Sequence, residues 1–186
     1  YAVYENNDAV AIESEELANI YTQEFEKLWG DIDSNQAEEH NNSIRLDKDI
    51  IAEVYFSPED STLALGRMLE LLAGAKSNIY FAQFTITHPK IAGVLVKKAK
   101  KGIDVKGIME YEQIGPYSKY FWFELKNMDV RKDKNYCFAF HHKFFIIDEK
   151  IVITGSLNPT MAGFKENREN VLIIHSPEVA KKYLEY

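Results

Sequence analysis

His141, Lys143 and Asp148 are followed by Gly155, Ser156 and Asn158, which gives the pattern H-x-K-x4-D-x6-G-S-x-N. These residue types fit chemistry on a phosphate ester. A neutral imidazole can attack phosphorus and form a phosphoramidate, so His141 is the candidate nucleophile. Lys143 supplies a fixed cation for the non-bridging oxygens, where charge develops in the transition state. Ser156 and Asn158 add a hydroxyl and an amide that can bind phosphate oxygen or orient the imidazole, and Gly155 lets the backbone come close. A Gly-Ser-Asn-Pro turn with no catalytic role is an equal reading of that last segment taken alone. A lone histidine satisfied at a strand end, or a solvated lysine, is the plain alternative for the first two. The company they keep favours the chemical reading.

These groups need a rigid support. Phe144-Phe145-Ile146-Ile147 is a continuous β-prone apolar run, which reads as a strand covered on both faces. His141 and Lys143 are two apart, so on a strand their side chains share a face, while His142 turns to the other. Asp148 lies beyond the spacer, where it suits a turn or backbone hydrogen bonds better than a substrate. Strands 142–148 and 150–154 then form a hairpin through Asp148-Glu149-Lys150.

Upstream, strands are expected at 50–56, 79–86, 103–109 and 129–131, and helices at 62–75, 91–101 and 117–127. A last strand at 171–174 and a helix from Pro177 follow. Strands alternating with helices argue for an α/β domain with a mixed, largely parallel β-sheet flanked by helices.

The motif, together with Asn167-Arg168-Glu169-Asn170, resembles the signature of the phospholipase D superfamily, often called the HKD motif. The resemblance runs more loosely from about Ile50 to the C-terminus. It implies a phospholipase D-like fold and a metal-independent phosphodiesterase that acts through a phosphohistidine, with no cofactor. It also implies Glu169 as the carboxylate partner of His141, and Asp148 as a mainly structural member of the motif. A phosphohistidine mechanism needs a second group to protonate the leaving alcohol and then activate water; in the family this is the histidine of a second HKD motif. The chain carries one motif. The other half is therefore expected from another chain, from a missing N-terminal half, or from a homodimer.

Residues 8–21 resemble residues 170–183 at an offset of 162, each reading as an apolar strand, a capping serine (Ser14, Ser176) and an amphipathic helix. This repeat makes residues 1–29 the expected tail of a preceding module of the same kind. It aligns Asn7 with Glu169. Residues 30–48 are polar and turn-forming and read as a linker. Residues 49–186 form the main domain.

Hydrophobic residues make up 46% of the 186, enough for a packed core. The net charge of -7 lacks the global positive field of a nucleic-acid binder, although a local cationic groove could still serve one. Phospholipid and nucleic-acid diesters both stay open as substrates. The single cysteine, Cys137, excludes an internal disulfide framework and fits a reducing, cytoplasmic compartment. The chain begins at Tyr1 rather than Met, so an N-terminal signal can be missing. Cys137 and His141 lack further ligands at metal spacing, so no metal site is expected. Lys97, Lys98, Lys100 and Lys101 suit a solvated helix end better than a nucleic-acid footprint, and Gln83 reads equally as a residue lining the site or as a hydrogen-bonded core amide. A non-catalytic phosphate-binding or scaffold module with the same fold is the second reading. A dinucleotide enzyme lacks its G-x-G-x-x-G.

Overall fold

The computed structural model describes residues 5–30, 41–135 and 137–185. In chain order the elements are β1 (Glu5–Asn6), α1 (Glu15–Trp29), β2 (Ser43–Arg45), β3 (Ile51–Ser57), α2 (Ser61–Gly74), β4 (Asn78–Gln83), α3 (Pro89–Lys100) and β5 (Asp104–Met109). A 3-10 turn at Tyr111–Gln113 leads to α4 (Tyr120–Leu125), β6 (Asp129–Lys132), β7 (Ala139–Phe140), β8 (Lys143–Ile147), β9 (Ile151–Gly155), α5 (Met161–Lys165), β10 (Glu169–His175) and α6 (Pro177–Glu185).

Eight strands form one mixed sheet in the order β2-β3-β10-β9-β8-β4-β5-β6, while β1 and β7 make a separate two-residue parallel ladder. Parallel ladders within the large sheet are confined to β4–β5 and β5–β6. Strands β3, β4, β5, β6 and β9 run in one direction, but β2, β8 and β10 are interleaved against them. Most neighbours are therefore antiparallel. The parallel majority expected from the strand–helix alternation holds for direction and not for pairing, because β8 and β9 are joined by a tight hairpin and β10 enters antiparallel between β9 and β3.

The apolar spacer is buried on both sides, as its composition dictates. Phe145 and Ile147 join a core with Leu72 of α2, Leu95 of α3, Phe123 of α4 and Phe164 of α5. Phe144 and Ile146 face Ala180 of α6. A further cluster on Ala52, Val54, Leu172 and Ile174 is covered by Leu17 and Ile20 of α1.

Two expectations change. Ala9–Ile12 forms no strand: among the described residues the ladder at this end is Glu5–Asn6 on Ala139–Phe140. Of its side chains Ile12 packs against the α1 cluster, whereas Ala9, Val10 and Ala11 are exposed. The helical part of the repeat is present, and Ser14 and Ser176 cap their helices alike, accepting from Leu17 N at 3.2 Å and from Val179 N at 3.3 Å. In the expected linker, residues 31–40 lie outside the described residues, while Ser43–Arg45 pairs with β3 and buries Ile44.

Candidate active site

One edge of the sheet gathers the motif. β8 and β10 run opposite to β9, so Lys143 at the start of β8, Gly155 at the end of β9 and Glu169 at the start of β10 meet there. Gln83 opposes Lys143 in register, and Ser57 opposes Glu169. A pocket of about 740 Å³ opens at this edge, and its lining includes His141, Lys143, Ser156, Asn158 and Glu169. The Glu5–Ser14 segment and the start of α1 form the facing wall, with Asn7, Asp8, Val10 and Leu17.

His141 is partly exposed. Its Nδ1 lies 3.1 Å from Asn7 Oδ1 and 3.3 Å from Glu5 Oε2, its ring stands edge-on to Phe84 at 4.8 Å, and its main-chain N–H donates to Asn6 O. Nε2 takes no hydrogen bond among the described residues. Burial lowers the imidazole's pKa, and the Lys143 ammonium lowers it further, against the opposing pull of Glu5 and Glu169. The neutral, nucleophilic form therefore prevails at neutral pH.

Lys143 is 8% exposed. Its ammonium donates to His141 O at 2.8 Å and lies 5.2 Å from the centre of the Phe84 ring. Burial pushes its pKa down to about 8, although Glu169, Glu5 and Asp8 favour the charged form.

Gly155 has φ +133, and a Cβ there would lie 2.3 Å from Asn170 O. The glycine is required twice over, by backbone conformation and by the close approach of β10. Ser156 Oγ accepts from Asn170 N at 2.9 Å, which leaves its own O–H to donate to a ligand. Asn158 Oδ1 is buried without a hydrogen-bond partner among the described residues, an arrangement a bound group would relieve.

Asp148 is five residues along the hairpin from Lys143, roughly 16 Å at strand spacing. Asp148 and Glu149 both take positive φ, 53° and 55°, the conformation of a tight hairpin turn. The Asp148 carboxylate accepts from the backbone N–H groups of Lys76, Ser77 and Asn78 and from Ser77 Oγ. Burial acts to raise its pKa, but these four donors outweigh it and the net shift is downward. The motif aspartate thus ties the hairpin to the turn between α2 and β4, away from the pocket.

The expected Glu169–His141 hydrogen bond is not formed. Glu169 accepts from Asn167 Nδ2 at 3.0 Å and reaches His141 and Lys143 only through its field. Asn7 and Glu5 hold the imidazole instead, because the N-terminal segment runs directly alongside the motif. Sequence reasoning also missed Asp8, Phe84 and Asn170. The alignment of Asn7 with Glu169 was the one signal that pointed toward the N-terminal segment.

Residues 68–186 match the family described as "Cardiolipin synthase, PLD-like domain". The chain is similar to the mitochondrial cardiolipin hydrolase of Mus musculus, 32% identical over 126 residues that cover 67% of this chain and 57% of that one. It spans little more than half of that relative's length. It is also similar to phospholipase D of Rickettsia conorii, 30% identical over 147 residues, 78% of this chain and 72% of the other. Among solved structures, Nuc from Salmonella typhimurium, described as a phospholipase D family member, superimposes with a TM-score of 0.65 at 31% identity, over 73% of this chain and 90% of Nuc.

Proposed function

This chain belongs to the phospholipase D-like family, and from that premise we propose that it supplies the His141 half of a phosphodiesterase. His141 Nε2 attacks the phosphorus of a diester. A P–N bond forms, the P–O bond to the leaving alcohol breaks, and the alkoxide takes a proton from an acid on a second module. Water then gives a proton back to that group and attacks the phosphohistidine; the P–N bond breaks and the imidazole is regenerated.

The observation that carries this reading is the placement of His141 and Lys143 side by side in one pocket with Ser156 and Asn158. Lys143, the Ser156 hydroxyl and the Asn158 amide are assigned to the non-bridging oxygens. Glu169 is assigned to steadying the cationic charge that His141 and Lys143 share during the reaction. With these cations and dipoles in place the chemistry is read as metal-independent. Among the described residues, no three His, Cys, Asp or Glu cluster so as to hold a metal ion.

The motif occurs once in the sequence, so the acid is assigned to a second HKD module, on another chain, on an N-terminal half or on a second copy of this one. Asp8 and Glu169 in the pocket lining, together with its Val10 and Leu17 wall, favour a lipid or other small diester over a polynucleotide.

The test is hydrolysis of bis(4-nitrophenyl) phosphate in excess EDTA by the chain and by His141→Ala, with mass-spectrometric trapping of an acid-labile phosphate on His141. Turnover and label that both vanish with His141 are expected. Turnover retained by the clean variant, or abolished by EDTA, would overturn the proposal. Phosphatidylglycerol vesicles and a single-stranded oligonucleotide, run as parallel substrates, separate the two substrate classes.

A further inference from the structure

The middle residue of H-x-K is the variable position of the motif, and here it is a histidine. His142 is 1% exposed, wedged edge-on between Phe140 and Phe144 with ring centroids at 4.7 and 5.7 Å. Its Nδ1 lies 2.9 Å from Asp8 Oδ1. The other oxygen of the same carboxylate accepts from Thr154 Oγ1 at 2.9 Å and from Tyr183 Oη at 3.0 Å. One carboxylate thus gathers donors from the residue preceding β8, from β9 and from α6. Burial acts to raise the Asp8 pKa, but the hydrogen bonds from His142, Thr154 and Tyr183 hold it below the ordinary value.

The residues before Asp8 explain what this anchor serves. Glu5 and Asn6 pair with Ala139 and Phe140, His141 N–H donates to Asn6 O, and Asn7 Oδ1 meets His141 Nδ1. A two-residue ladder is a weak attachment by itself. The next residue along is Asp8, with its buried three-way grip. Asn7 therefore stays on the nucleophile because Asp8 is held on the far side of the same backbone.

We propose that Asp8 is a positioning residue: through His142 it locks the N-terminal segment to the motif and so keeps Asn7 on His141 Nδ1 and Nε2 turned to the pocket. Asp8 touches none of the reacting atoms. The inference rests on His141 being the nucleophile, and its test has one reading that does not depend on turnover.

Asp8→Asn retains shape and removes charge and acceptor strength. Tyr183→Phe removes one donor from the same carboxylate without loosening His142, and so reports what mere disturbance of the cluster does. With bis(4-nitrophenyl) phosphate, Asp8→Asn is expected to lower kcat at least ~10-fold with KM within about twofold, the mark of a misplaced catalytic group. Tyr183→Phe is expected to stay within about twofold in both. Independently, nitrogen-15 NMR of the imidazoles should show the His141 Nδ1–H signal, protected by Asn7 in the unmodified chain, lost in Asp8→Asn and kept in Tyr183→Phe. Equal losses in the two variants would reduce Asp8 to a structural role and overturn the proposal, as would an intact His141 signal in a folded Asp8→Asn protein. If no protein turns over, the NMR result still decides the positioning role, and the kinetic failure falls on the functional reading alone.

Discussion

The Lys143 ammonium donates to the carbonyl of His141 at 2.8 Å, so the cation we assign to the phosphate and the backbone of the proposed nucleophile form one hydrogen-bonded unit. The side chain folds back over two residues and spends one of its three donors. The other two remain for substrate, and a shift of the motif strand moves attacker and oxyanion ligand together.

That unit sets a pH window. The proposed mechanism needs His141 neutral and Lys143 charged. The His141 pKa is lowered, so the acid limb of kcat/KM should fall below the ordinary imidazole value. The Lys143 pKa is pushed down to about 8, so activity should decline as the pH rises through that value. Lys143→Arg keeps its charge over the whole range, and its alkaline limb should move up by at least ~2 pH units at reduced kcat. An alkaline limb unmoved in Lys143→Arg would assign it to another group.

Asn7 offers a complementary change. A carboxylate beside Nδ1 favours imidazolium, so Asn7→Asp should raise the His141 pKa and carry the acid limb of the profile to higher pH. NMR titration of the imidazole measures this directly, without an assay.

At Gly155 the backbone and the neighbouring strand leave no room for a side chain, since φ is +133 and Asn170 O would lie 2.3 Å from a Cβ. Gly155→Ala should cost about 3 kcal/mol of stability and displace Ser156 from Asn170. The expected signature is a lower denaturation midpoint combined with a raised KM, read by urea unfolding and steady-state kinetics.

Away from the pocket, Glu53 accepts from Arg67, Tyr55 and His175, the last at 2.5 Å. Burial acts to raise its pKa, but these bonds bring it down to about 2. The stability it contributes is complete above its ordinary value near 4.5 and is lost as the pH falls through about 2. Glu53→Gln should therefore cost about 2 kcal/mol at pH 7. That is less than for a fully buried pair, because the Arg67 and His175 side chains are 28% and 27% exposed. The gap between the two proteins should close as acid is added, and paired urea curves at pH 7 and pH 2.5 test it.

The motif strand, the hairpin turn at Asp148 and most of the helices are legible in the sequence because local rules decide them: an apolar run with nowhere to go but inside, an aspartate tolerant of positive φ, a serine before an acidic first turn. Ala9–Ile12 follows the same local rule and fails it: the run is apolar, yet Ala9, Val10 and Ala11 stay exposed and pair with no strand, because a strand also needs a partner ladder that local composition does not supply. The partners of His141 and His142 were illegible for a different reason. Asn7 and Asp8 each lie 134 residues away, and no short-range pattern marks an asparagine or aspartate as bound for a distant imidazole. Glu169 shows the reverse case: its place at the pocket follows from its strand, whereas its hydrogen bond goes to Asn167 because Asn7 and Glu5 already flank the His141 ring nitrogen.

The two walls of the pocket are attached to the sheet differently. β8 lies inside the sheet, laddered to β4 on one side and β9 on the other, whereas the Glu5–Asn6 wall hangs on a two-residue ladder and its anchor. Amides of Phe144 to Ile147 should exchange with solvent only when the whole domain opens, and the His141 amide through far smaller excursions. His141 thus stands on a seam: its backbone leads into the motif strand inside the sheet, while its imidazole is held by Asn7 and Glu5 of a segment attached by only a two-residue ladder and its anchor.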